Sequence, residues 1–122
     1  MHGDKNYPFR KEKSDWDIAL PDGTDDTTYL EILQDSLRRL LDEQQPDFVF
    51  YLSGVDVLAT DKLGRLGMTL MGCKERDRMV MEACYQRQIP MQCSMGGGYS
   101  ESLKIIIEAH ANTYRTAYEL FV

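Results

Sequence analysis

Two positions in this chain are spaced to do chemistry. Asp56 ends the apolar run Phe48-Val-Phe-Tyr-Leu-Ser-Gly-Val, and Tyr99 follows Met91-Gln-Cys-Ser-Met-Gly-Gly-Gly. Each run has the length of a strand, closes on small residues and then presents one reactive group. A carboxylate directly after a strand serves as a helix cap, a loop hydrogen-bond acceptor or a metal ligand, and the local sequence leaves all three open. A phenol, with a pKa near ~10, stays protonated at neutral pH and donates a hydrogen bond to a developing oxyanion. Gly96-Gly-Gly98 admits two readings. Such turns cradle phosphate on free N–H groups, yet the run matches neither GxGxxG nor a P-loop and no lysine follows it. Otherwise the glycines allow a tight backbone path that aims Tyr99 into a cleft. Asp61 reads as a turn residue, with an acceptor role behind the site as the alternative.

Few other groups compete for these roles. His2 and His110 lack ligand-pair spacing, and His110 lies on an apolar helical stripe, where a satisfied core histidine is expected. Cys73, Cys84 and Cys93 are odd in number and form no CxxC pair, so buried inert thiols are expected. Met71, Met79 and Met81 read as core filling. With Asp56 as the one credible ligand, the chain alone does not supply the three protein ligands of an ordinary zinc site.

The elements that must position Asp56 and Tyr99 follow from periodicity. Lys74 to Gln88 has a helical stripe of Met79, Val80, Ala83 and Cys84, so the two runs and this helix form a strand–helix–strand unit with parallel strands. In open α/β sheets, chemistry sits beyond the carboxyl ends of such strands, which sends Asp56 and Tyr99 to one crevice. Upstream, Asp25-Asp-Thr-Thr28 opens a helix whose stripe is Tyr29, Ile32, Leu33, Leu37, Leu40 and Leu41; Thr28 and Glu31 have capping-box spacing, and Pro46 stops it. Trp16–Leu20 is a short strand closed by Pro21-Asp-Gly23, and Arg10–Asp15 is a solvated loop. From Ser100 a last helix is expected to bury Leu103, Ile106, Ile107, His110, Tyr114, Ala117 and Tyr118. The long segment from Val57 to Gly67 is a loop of the kind that carries function.

Composition narrows the function classes. A chain of 122 residues, 43% hydrophobic, is one small folded unit with a single core. Its net charge of -6 argues against general affinity for nucleic acid or anionic membrane. No apolar run approaches the ~20 residues that span a bilayer, and Met1-His-Gly-Asp-Lys is no signal segment. The free thiols suit the cytoplasm.

Four segments in order, Met1–Phe9, Pro46–Asp56, Asp61–Gly67 and Ser94–Tyr99, resemble the carboxyl-terminal half of the histone deacetylase superfamily. The likeness is nearest to the bacterial and class IV-like branch, with the acetoin-utilisation and acetylpolyamine deacetylases. It implies part of a three-layer αβα parallel sheet of the arginase/deacetylase type, with residues 1–122 as a single partial domain. In that family zinc is held by an Asp-x-His pair and a later aspartate, which Asp56 matches. Tyr99 matches the catalytic tyrosine that polarises the acetyl carbonyl. Tyr7 matches an aromatic wall of the acyl-lysine tunnel, which Gly97 and Gly98 also line. Zinc-bound water attacks the amide, and an upstream histidine pair handles protons.

This chain has neither the Asp-x-His segment nor the histidine pair. The resemblance therefore implies a deacetylase of acetyl-lysine or acetylated amines that is inactive as this piece and does not hold zinc stably. The expected partner is a second copy or an absent amino-terminal half. The alternative is a non-catalytic, oligomeric binding or assembly module built on the same fold. Nucleotide binding at the glycine turn is the weakest reading.

Overall fold

The computed structural model describes residues 1–122. Strand β1 (His2–Gly3) pairs in parallel with β2 (Ala19–Leu20), and helix α1 (Asp26–Gln44) follows. Strand β3 (Val49–Gly54), helix α2 (Leu70–Gln86), strand β4 (Met91–Gly96) and helix α3 (Leu103–Phe121) complete the order. β3 and β4 pair in parallel from Val49↔Met91 to Gly54↔Gly96, which is the expected strand–helix–strand unit. The register brings the two carboxyl ends level, so the loops bearing Asp56 and Tyr99 leave the sheet side by side. The short strand near Trp16 is confined to Ala19–Leu20, because only those residues find a partner, in β1.

The helix starts are set by side-chain caps that differ from the expected ones. Asp25, not Thr28, caps α1, accepting from the Thr28 N–H at 2.9 Å. That hydrogen bond holds the Asp25 carboxyl below its ordinary range. α2 begins at Leu70, ahead of Lys74, since Thr69 caps it by accepting from the Gly72 N–H at 3.0 Å. The Asp26 carboxylate accepts from the Thr69 hydroxyl at 2.6 Å and its N–H at 2.8 Å, bolting the two helix starts together.

α1 buries Tyr29, Leu33 and Leu41 of its stripe but leaves Leu40 exposed. α3 departs further from expectation. Its buried side is Ala109, Asn112, Thr113 and Thr116, while Leu103, Ile107, Tyr114 and Tyr118 face outward. Small residues are needed there because α3 packs closely on α2. His110 is not a satisfied core histidine, since its buried Nδ1 has no partner. Of the methionines, Met81 is fully buried and Met71 is exposed. All three cysteines are free, with Cys73 and Cys84 buried.

One charged node joins sheet and helices. Arg76 and Asp77 are both buried, paired at 2.7 Å. Asp77 also accepts from the Tyr51 hydroxyl of β3 and the Thr113 hydroxyl of α3, each at 2.6 Å. Arg76 Nη1 donates to the Gly54 carbonyl at 2.5 Å. Tyr51 therefore points toward the helices, whereas its neighbours Phe50 and Leu52 stand outward, 80% and 68% exposed. No helix is long and apolar enough to cross a membrane.

Removing one partner of a buried ion pair leaves the other charge uncompensated, at a cost of about 3–5 kcal/mol. Asp77→Ala is thus expected to lower the urea midpoint by that equivalent, and a midpoint within ~0.5 kcal/mol of the parent would show the node to be dispensable. Burial also pushes the Tyr29 and Tyr51 phenols and the Cys73 thiol above their ordinary values. Groups raised in this way contribute stability that is complete below their unfolded pKa values and lost as pH climbs through the folded ones. Unfolding free energy should decline from roughly pH 9 upward. A flat profile to about pH 11 would contradict it.

Candidate functional site

Three loops converge beyond the ends of β3 and β4. The first, residues 4–11, carries Tyr7. Lys11 holds it by donating from Nζ to the carbonyls of Asp4, Asn6 and Pro8 at 2.9, 2.8 and 3.1 Å. The charged run expected to be solvated therefore keeps one cation folded inward. Buried Asn6 links this loop to the second, accepting from the Arg65 N–H at 2.9 Å.

The second loop runs from Val55 to Met68, with Asp56 near its start. The Asp56 carboxylate is cramped by backbone: a Cβ on Gly54 would stand 2.7 Å from its Oδ1, and one on Gly97 3.2 Å away. Gly97 is doubly constrained, since its φ of +67° favours glycine. No side-chain hydrogen bond or ion pair engages the half-buried carboxylate, so both oxygens are without a protein partner. The helix-cap and loop-acceptor readings of Asp56 are not realised.

The third loop is the turn into Tyr99. Asp61 governs it. Its buried carboxylate accepts from the Leu63 and Gly64 N–H groups through Oδ1 at 2.9 and 2.7 Å, and from the Tyr99 N–H through Oδ2 at 2.9 Å. Asp61 is thus both the expected turn residue and the anchor of the turn bearing the phenol. The Lys62 N–H returns a bond to the Tyr99 carbonyl at 3.3 Å.

These loops enclose a cavity of about 300 Å³ whose walls include Tyr7, Asp56, Gly97 and Tyr99. Gly98 is not among them; it turns behind the cavity, where a Cβ would meet Ile106, His110 and Val55. A larger, mostly apolar cavity of about 650 Å³ lies between α1 and β3 and reaches the same Asp56. Sequence reasoning missed Asn6, Lys11 and Arg76. Only Asp61 left a local signal, the Asp-x-x-Gly spacing of a side-chain-closed turn.

No three His, Cys, Asp or Glu side chains gather anywhere in the chain to hold a metal ion. An ordinary zinc site draws on three protein ligands. The residues here fit one ligand of such a site and not the site itself.

The histone deacetylase domain model matches residues 2–114. The chain belongs to the histone deacetylase family. Among deacetylase-family relatives, Histone deacetylase 2 of Arabidopsis thaliana is 29% identical over 119 residues, covering 94% of this chain and 31% of that protein. An uncharacterized protein of Picosynechococcus sp. is 40% identical over 121 residues, covering 99% of this chain and 40% of that one. The chain thus spans 31% to 40% of the length of these relatives. The fold agrees with two solved structures. The HDA15 HD domain superposes with a TM-score of 0.71 at 20% identity, covering 96% of this chain and 36% of that one. Acetylpolyamine aminohydrolase from Burkholderia pseudomallei gives 0.65 at 22% identity, covering 84% and 28%. The architecture of this chain is part of the arginase/deacetylase fold.

Asp61→Ala is expected to leave the Leu63, Gly64 and Tyr99 N–H groups without their acceptor, each worth about 1–3 kcal/mol when buried. Amide exchange at these positions should accelerate about tenfold or more while β3 amides keep their protection. Unchanged exchange at Tyr99 would remove Asp61 from its anchoring role.

Proposed function

We propose that this chain carries one wall of a zinc-dependent deacetylase site that acts on acetylated lysine or amine substrates. Asp56 is its metal ligand, Tyr99 its hydrogen-bond donor, and Tyr7 and Gly97 are walls of the acyl channel. Gly98 serves as the turn behind them. The observation that carries the reading is the joint placement of Tyr7, Asp56, Gly97 and Tyr99 on one cavity. The half-buried Asp56 carboxylate, which no protein donor engages, supports a ligand role. Asp61 anchors the backbone of Tyr99, and the phenol it carries is a donor for the amide oxygen as negative charge grows there, an effect worth about 10²–10³ in rate for one donor.

This wall does not make a complete enzyme. One carboxylate binds zinc weakly, so the isolated chain is inactive until further ligands and a base come from another polypeptide segment. Three free thiols fit a cytoplasmic setting. A second reading, a non-catalytic assembly module, is favoured by one observation, the outward face of β3 that exposes Phe50 and Leu52. Such a face beside open strand edges promotes self-association.

The deciding experiment measures zinc per chain, mass in solution and hydrolysis of an acetyl-lysine peptide on the same sample. Expected are substoichiometric zinc that falls further in Asp56→Asn, and no turnover. Robust zinc-dependent turnover by the pure chain would overturn the claim of inactivity. Zinc uptake indifferent to Asp56→Asn would remove the ligand role. A stable oligomer without metal supports the assembly reading.

A further inference from the structure

Next to the Asp56–Tyr99 cavity, and sharing Tyr7, Leu63 and Gly64 with it, lies an open basin of about 510 Å³. Its walls combine the aromatic rings of Tyr7 and Phe9 with three cations, Lys5, Lys62 and Arg65, and include no carboxylate. That is a local inversion, because acidic residues outnumber basic ones 20 to 14 in the whole chain. Two of the cations are held from outside the basin: Lys62 by Glu101 at 3.2 Å and Arg65 by Asp22 at 3.3 Å. Both pairs are exposed, and exposed pairs are weak enough for a cation to change partners when another carboxylate arrives. No such pair holds Lys5. The rings are available too, Tyr7 at 73% and Phe9 at 84% exposure, set edge to face with centroids 6.3 Å apart.

We propose that this basin is a substrate-selecting shelf that takes acidic residues flanking an acylated lysine. It thereby favours acidic peptide segments over polycationic amines. The inference rests on the cleft reading given above, since the shelf selects what enters that cleft. Tyr7 belongs to both, so a chain entering the cavity crosses the shelf. A carboxylate beside the acyl-lysine meets Lys5 and Lys62, while the peptide backbone lies against Tyr7 and Phe9. A polyamine brings positive charge to the same place and is repelled over a distance of about 8 Å at physiological salt.

The test uses the 122-residue chain and fluorescent peptides of one length, read by anisotropy at low and at physiological salt. Three carry acetyl-lysine flanked by glutamates, glutamines or lysines, and a fourth carries unmodified lysine between glutamates. The glutamate-flanked acetyl peptide is expected to bind about tenfold tighter than the lysine-flanked one, with the gap shrinking as salt rises. Lys5→Glu combined with Lys62→Glu should reverse the order while leaving the melting temperature unchanged, since both side chains are exposed. Equal binding of the three acetyl peptides overturns the shelf and leaves the cleft reading standing. Tight binding of both glutamate-flanked peptides, acetylated or not, keeps the basin as a site for acidic peptide but removes the cleft reading and, with it, the selecting role. Binding to none overturns both.

Discussion

The buried pair of Arg76 and Asp77 is the constraint on which the remaining geometry depends. Two charges removed from water persist only when the polar atoms around them are matched, and here the matching draws on β3 and α3. β3 supplies the Tyr51 hydroxyl and the Gly54 carbonyl, and α3 supplies the Thr113 hydroxyl. α2 therefore has one rotation and one depth against the sheet. Gly54 lies two residues before Asp56, so the bond from Arg76 to its carbonyl also fixes where the loop leaves the strand.

From that fixed exit the site is assembled by polar anchoring of loops. Apolar packing is non-directional and sets no loop to within a fraction of an ångström. The hydrogen bonds of Asp61, Asn6 and Lys11 do so, each tying backbone of one loop to its own or another's. Asp61 and Asp56, five residues apart, show how environment separates two identical side chains. Asp61 is buried and saturated by N–H donors, whereas Asp56 is partly open and unpartnered. Only the second remains available to a ligand.

One face of this fold is left without a covering layer. Parallel strands flanked by crossover helices are ordinarily covered on both faces. Here the helices meet the Tyr51 side, and Phe50 and Leu52 stand outward. The outward stripe of α3, with Leu103, Ile107 and Tyr118, has the same character. The relatives and the solved HDA15 HD domain are more than twice as long as the segment matched.

By itself the sequence determined the strand–helix–strand unit, the parallel sense of β3 and β4, and the candidates Asp56 and Tyr99. These follow from short-range facts: apolar runs of strand length, a 3.6-residue stripe, and glycines at the turn. Tertiary structure decided which side of α3 is buried, because the small residues Ala109 and Thr113 admit α2 more closely than the large apolar stripe would. It also decided that Asp61 anchors Tyr99, that Lys11 turns inward and that Arg76 holds Gly54. Such hydrogen bonds join residues as far as 59 positions apart, as between Asn6 and Arg65. Directional bonds across that separation leave no periodic trace in the chain, and they exist only once the core has brought the loops together.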